Sequence, residues 1–331
     1  MGVATGFKVY NDQFRGGVIE RLTQASAFFN GASQGALVMN TVSRRGDYAY
    51  ESFLQSIAGL VSRRDTTSVA GASALDVSME EFISVKLNRK IGPVDQTLDS
   101  FRKVLMSANG SAEALSFLMG SQVAKAMEVE MLNTLLRALR AGLANVAAVT
   151  HDATGGTLDS SDLNTGLSKF GDAYSNIRAW VMHSKVFFDL VGFQIDPTNH
   201  GDGIAGVVVQ GASPATFGRP VIVTDSPALI TDVGTSSLPD LVYHTLGLVP
   251  GAGVAESSED EYITYDEVTG LENIVARLQG EYAYNIGTKG FKYNTGGGGV
   301  NPADSAIGTG SNWSKIATSD KDLAGIVIKS D

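Results

Sequence analysis

Cysteine is absent from this 331-residue chain, and that one absence excludes disulfides, thiolate metal sites and cysteine nucleophiles together. It suits assembly in a reducing cytoplasm. Histidine is scarce: His151, His183, His200 and His244 sit at spacings that no metal-binding helix or loop uses. Each reads as a hydrogen-bonded surface or core side chain, so no metal and no organic cofactor is expected. Long apolar runs are also missing. None reaches the roughly 20 residues of a membrane span, and residues 1–10 lack the hydrophobic stretch of a secretory signal. A soluble, non-secreted protein with no membrane partner is expected.

Charge is thin as well. Charged residues make up 18% of the chain and hydrophobic residues 43%, where ordinary soluble domains carry about 25% charge. There is ample apolar mass for cores, and the low charge points to a surface covered by something else. Homo-oligomers show this signature, and so does a large, well-buried monomer. Basic residues are outnumbered 25 to 35, for a net charge of −10. A protein that grips nucleic acid by neutralising phosphates carries the opposite sign. Contact with DNA would be that of a container wall, without sequence-specific binding.

What the chain has in excess is glycine, 38 residues or about 11%, against an average of roughly 7%. The excess has no fixed period, which implies many tight turns and long loops. The first forty residues read as an arm, in which Val18 to Phe29 can form a short helix between Gly17 and Gly31. Two β-rich runs follow. Tyr48, Tyr50 and Phe53 alternate with smaller or polar residues, and Phe82, Ile83, Val85 and Leu87 make the second run. The polar residues 62–78 between them read as the tip of an extended hairpin, with a charged cluster at Arg63, Arg64 and Asp65. A lone hairpin is marginal in water and must lie against something. This makes Arg63, Arg64 and Asp65 the candidate inter-subunit contact.

Helices come next. Gly92-Pro93 marks a break, after which Asp95 can cap a helix carrying Leu98, Phe101 and Leu105. Residues 111–144 hold the strongest helical signal. Leu115, Leu118, Val123, Met127, Leu132, Leu135 and Leu139 recur at spacings near three and four, with Glu113, Lys125, Glu128, Arg137 and Arg140 mostly on the other side. A glycine- and aspartate-rich bridge, 151–162, leads to a buried strand at 177–182, where Ser184 can cap a following short helix. Further strands are expected at 207–209, 221–223, 242–249, 282–286 and 326–328. The acidic run 256–261 reads as a solvated edge, and Gly296 to Gly299 as a flexible hinge. Without a regular β-α rhythm, the fold class is α+β.

Short motifs that could carry chemistry fail on context. Gly31-Ala32-Ser33-Gln34-Gly35 matches a nucleophile elbow, which needs a strand before the serine and a helix after it. Here the preceding residues look helical. Gly251-Ala252-Gly253 begins a dinucleotide fingerprint, but Glu256 stands where the third glycine belongs and would repel a pyrophosphate. The glycines from Gly296 lack the Lys-Ser or Lys-Thr of a phosphate loop. Arg45-Gly46-Asp47 is a chance tripeptide at a strand, and the sequons at Asn109 and Asn312 are moot without secretion. No catalytic residue is expected, and the chain does not read as an enzyme.

The order of elements carries more. An arm, a long hairpin, a rod-like helix and a mixed region with a returning C-terminal strand resemble the major capsid protein of tailed bacteriophages (Caudoviricetes), the Hong Kong 97-type fold. Phrases in the same order support the resemblance. They are Phe82 to Val94, Arg178-Ala179-Trp180-Val181-Met182-His183 before a short helix, Gly218-Arg219-Pro220-Val221-Ile222-Val223-Thr224-Asp225, and Asn312-Trp313 through Ile328. The resemblance implies an N-terminal arm (1–40), an extended loop (41–92), a peripheral domain with the spine helix (93–176), an axial domain (177–254) and a return to the peripheral domain (255–331).

It also implies a function: copies associate through rings of five and six into an icosahedral shell around double-stranded DNA. Contacts in such rings are heterologous. Expected partners are other copies, a portal, decoration proteins in some shells, and a separate scaffolding protein, since no long helical segment precedes the arm, unless such a segment has been cleaved away. The product is the virion capsid, assembled in the cytoplasm of the bacterial host. An encapsulin-like compartment is the alternative within the fold, and an ordinary soluble enzyme the alternative outside it.

Overall fold

The computed structural model describes residue 18 and residues 30–40, 50–54, 79–97, 112–195, 216–234 and 240–331. Its axis is helix α1, Ala112–Ala144, 33 residues long and so about 50 Å at 1.5 Å per residue. Its first half buries one stripe, Gly120, Ala124, Met127 and Met131, at the spacing of four and three that keeps residues on one helical face. Val129 stays exposed on the opposite side, and Phe117 is exposed where the stripe runs out toward the helix start. The second half is enclosed on several sides, with Leu135, Leu136, Ala138, Leu139, Ala141 and Leu143 all buried.

A four-stranded sheet lies against this helix. Its order is β1 (Leu37–Asn40), β10 (Gly253–Val268), β11 (Val275–Thr288) and β4 (Val85–Thr97). β1 pairs β10 in parallel and the other pairs are antiparallel. Contact with the helix is close: a Cβ on Gly253 would lie 2.9 Å from a methyl of Leu135 and 3.0 Å from one of Leu139. The Tyr284 hydroxyl donates to Thr134 Oγ1 at 3.1 Å.

The second sheet is mixed and runs β5 (Thr150–Asp152), β14 (Gly325–Ser330), β9 (Leu241–Leu248), β6 (Ala179–Met182) and β7 (Val221–Val223), with β8 (Ile230–Asp232) also on β9. β6 is buried throughout, so its run of apolar residues without alternation is what a strand covered on both faces requires. Gly247 leaves room there for the Trp180 ring, which a Cβ would approach to 2.7 Å. Helix α2 (Ser160–Ser168) starts with a reciprocal capping box between Asp159 and Asp162. Helix α3 spans Ser184–Ile195. Smaller pairs are β2 (Tyr50–Leu54) with β3 (Met79–Ile83), and β12 (Phe291–Tyr293) with β13 (Trp313–Lys315). Short helices α4 (Thr295–Gly298) and α5 (Asp304–Ile307) lie between the last two strands.

The mixture of sheets and helices is α+β, and the strands that flank the extended hairpin pair as the alternation predicts, Tyr50 opposite Ile83 and Leu54 opposite Met79. Other expectations need correction. β4 runs through Gly92-Pro93 and Asp95 instead of ending there. Three steps along β4, Ile91 to Val94, match two along β11, Gly280 to Leu278. The extra residue forms a bulge at Gly92-Pro93, where a proline without an N–H costs the ladder nothing. Gly92 supplies the positive φ of 73°. Leu98, Phe101 and Leu105 lie outside the described residues, as do residues 55–78 with the expected tip, and 207–209.

Residues 151–162 hold the end of β5 and the start of α2, not a bare bridge. Ser184 is the first residue of α3, and the His183 ring accepts from the Lys185 N–H at 3.2 Å. The acidic run 256–261 lies inside strand β10, where Glu256 and Glu259 pair with β11. The C-terminal strand β14 sits between β5 and β9 in the six-stranded sheet.

The glycines from Gly296 form the packed turn α4. The Asn294 side chain caps it by accepting from the Gly296 N–H, and a Cβ on Gly298 would fall on the Tyr293 hydroxyl. Absent side chains here mean close packing rather than a hinge.

Candidate functional site

No catalytic centre assembles among the described residues. Ser33 is fully buried and its hydroxyl donates to the Leu37 carbonyl at 3.0 Å. The helical turn precedes it and strand β1 follows, the reverse of a nucleophile elbow. Gly251-Ala252-Gly253 leads into strand β10 and no helix follows. His151 meets Asp162 at 3.1 Å and His183 lies 4.0 Å from Asp225. His200 falls outside the described residues. Among the described residues no three His, Asp or Glu side chains gather as a metal would need, and no helix is long and apolar enough to cross a membrane.

His244 is buried in the core. Thr231 Oγ1 stands 2.8 Å from its Nε2. Burial, followed by the charges of Arg140 and Lys329, lowers its pKa to about 3. It is a neutral core group. Arg140, placed by the sequence pattern on the solvent side of the long helix, is instead buried and donates to the carbonyls of Ala228 and Ile230, both at 2.8 Å. Its stem packs in the core while its planar head satisfies two main-chain acceptors, something a periodicity argument cannot see. Burial lowers its pKa to about 10.

Contact-forming features lie on the four-stranded sheet. Past Glu256, β10 continues with β11 and β4 as a ribbon of three described strands. Across it, Arg277 grips Asp95 with two bonds, Nε to Oδ1 at 2.7 Å and Nη2 to Oδ2 at 2.6 Å. This pair holds the Asp95 carboxyl below the usual carboxylate range. The ribbon exposes apolar side chains too: Tyr262 is 67% exposed, Leu271 58% and Val94 50%. Charge on the β10–β11 hairpin is one-sided, with Glu256, Glu259, Asp260, Glu261, Asp266, Glu267, Glu272 and Glu281 against Arg277 alone in residues 253–288.

Where β4 meets α1 and α5, four charged groups close on one another. Arg89 contacts Glu130 at 3.0 Å and Asp304 at 2.6 Å, and Arg137 reaches Asp304 at 2.7 Å. The cluster ties the base of the ribbon to the long helix. Spacing along the chain held no sign of it, because its members come from three distant segments. Arg63, Arg64 and Asp65 lie outside the described residues, so no structural partner is assigned to them.

Comparison with known proteins identifies the architecture. Solved structures from Microbacterium phage Oxtober96 (TM-score 0.55, 13% identity, 90% of each chain covered) and Mycobacterium phage Cain (TM-score 0.53, 11% identity, 91% of this chain and 90% of that one) share the fold. So does the structure titled as the capsid of Myoviridae phage XM1, at TM-score 0.50, 12% identity and 90% of each chain. At such identities the likeness speaks for the fold alone, which is the Hong Kong 97-type α+β fold of phage capsids. No curated protein sequence matches. The family model for Gp13-like proteins, described as major capsid protein 13-like, matches residues 6–327. With that match spanning nearly the whole chain, the protein belongs to the Gp13-like family of phage major capsid proteins, whose work is structural and not enzymatic.

Proposed function

We propose that copies of this capsid protein associate through rings of five and six and close into an icosahedral shell that encloses double-stranded DNA. The observation that carries the reading is the ribbon of β4, β10 and β11, which exposes Tyr262, Leu271 and Val94 on a chain with little charge elsewhere. Exposed apolar side chains that form a contiguous patch mark a surface that another protein covers. The net charge of −10 fits a wall that encloses nucleic acid without gripping it. In this reading residues 1–40 are the arm, 41–92 the extended loop, 93–176 and 255–331 the peripheral part and 177–254 the axial part. β14, at the end of the last segment, pairs with β5 and β9. The partners are other copies, a separate scaffolding protein, a portal and, in some shells, decoration proteins. The site of action is the virion, after assembly in the host cytoplasm. No observation favours an encapsulin-like compartment.

Electron microscopy of the chain co-expressed with its scaffolding protein tests the proposal. Closed particles, or rings of five and six, are the expected result. A chain that stays monomeric in light scattering at high concentration, with the scaffold supplied, overturns it. Particles that hold cargo enzymes and exclude DNA would move the assignment to the compartment alternative.

A further inference from the structure

β1 is the outermost described strand of the four-stranded sheet, and its free edge is occupied in an unusual way. Its inner edge bonds to β10, as in the Gly253 N–H to Ala36 carbonyl contact. Alternation along a strand then turns the main-chain groups of Leu37 and Met39 the other way. Those four outward groups are all satisfied by two side chains. Asn30 Oδ1 accepts from the Met39 N–H at 2.9 Å, while Asn30 Nδ2 donates to the Met39 carbonyl at 3.0 Å. The Ser33 hydroxyl accepts from the Leu37 N–H at 3.4 Å and donates to the Leu37 carbonyl at 3.0 Å. Residues 30–36 fold back in a tight turn to place them, with Gln34 and Gly35 at positive φ. Each side chain thus imitates the donor and acceptor of a neighbouring strand.

An unpaired edge is a template for strand addition by another chain. The hazard grows in a protein whose copies are held side by side at high local concentration. We propose that Asn30 and Ser33 form an edge guard, filling the outward hydrogen-bonding positions of β1 so that a second copy cannot add a strand there. Copies are thereby limited to contacts elsewhere on the surface. The guard operates in the free subunit, so the proposal stands apart from the shell reading.

Aggregation of the purified full-length chain, without scaffold, tests it. Asn30→Ala removes both Met39 bonds and opens the edge, while Asn30→Asp also loses the donor but leaves a charge that opposes strand addition. Asp304→Asn, remote from β1 in sequence and position, serves as a control for lost stability. Folding of each is checked by circular dichroism. Thioflavin-T-positive, sedimenting material should form on the order of tenfold faster for Asn30→Ala than for Asn30→Asp or the control. Equal rates for Asn30→Ala and Asn30→Asp, or rates that simply follow thermal stability, overturn the proposal. So does an Asn30→Ala protein that folds and stays as soluble as the parent.

Discussion

Arg89 on β4 and Asp304 at the start of α5 stand 215 positions apart in the chain and 2.6 Å apart in space. Partial burial would raise the Asp304 carboxyl, but the hydrogen bond from Arg137 and the charges of Arg89 and Arg137 outweigh it and hold the group below its ordinary value. A carboxyl lowered in the folded state contributes stability above its unfolded pKa of about 3.9 and loses it as pH falls through the folded value.

Asp304→Asn should therefore cost on the order of 1 kcal/mol at pH 7, an amount already discounted for the carboxylate's exposure to solvent. The deficit should shrink as pH falls below the unfolded value of about 3.9 and on through the lowered folded value, where the parent's Asp304 takes up its proton too. Urea unfolding of both proteins at pH 7 and pH 3 reads the difference. A deficit that is the same at both pH values would mean that the substitution acts by packing and not by charge.

The turn at Gly298 gives a sharper contrast. A glycine in a flexible linker tolerates alanine, often with a gain of about 0.4 to 1 kcal/mol from the unfolded state. Gly298 is packed on Tyr293, whose ring sits at 5.2 Å from Trp313. Gly298→Ala should instead destabilise by about 1 to 3 kcal/mol, as overpacking does. A shift of the thermal midpoint downward is the expected result, and an unchanged or raised midpoint would restore the hinge.

That glycine run shows where sequence reading stops. Residues 111–144 are legible because burial on a helix leaves a spacing of three and four, and Tyr282, Tyr284 and Ile286 because large side chains alternate there with Ala283 and Asn285, although all five are buried. Both are local signals. A bulge at Gly92-Pro93 is visible only once Ile91 and Val94 are matched to Gly280 and Leu278 on another strand. Arg140 looks like a solvent-facing charge until the carbonyls of Ala228 and Ile230 come to meet it. The Arg89 cluster draws on three segments that no window spans. Composition and element order carried the family because they survive such local errors.

His244 should make the subunit acid-sensitive in a different window. An unfolded histidine titrates near 6.5, whereas burial and the neighbouring charges of Arg140 and Lys329 keep the folded group neutral down to about 3. Between those values the unfolded chain takes up a proton that the folded one refuses, so stability falls as pH drops, by up to about 1.4 kcal/mol per pH unit. Above pH 6.5 the effect vanishes. Replacing His244 by Gln should flatten the dependence of the urea midpoint between pH 6.5 and 4.5, above the range in which Asp304 acts. A slope that persists unchanged would assign the proton uptake to another group.

The hairpin tip supplies the last prediction, and it rests on charge. Arg63 and Arg64 belong to a polar segment, residues 62–78, with little to offer an apolar core. The β10–β11 hairpin of another copy offers Glu261, Asp266, Glu267 and Glu272 with one basic residue, Arg277, among them, while Glu259 is already paired with Lys86 of its own subunit. Exposed pairs contribute only about 0 to 1 kcal/mol each, but a shell repeats the contact at every subunit. Arg63→Glu with Arg64→Glu should leave the circular dichroism and thermal midpoint of the free subunit unchanged. The yield and heat resistance of particles should fall, most clearly at low salt, because at about 1 M the Debye length shrinks to roughly 3 Å and the parent loses its advantage as well. Particles as heat-resistant as the parent's at every ionic strength would remove the tip from the interface. A variant that fails to fold would place the tip in the core of its own subunit, and the pairing with a neighbour would fall with it.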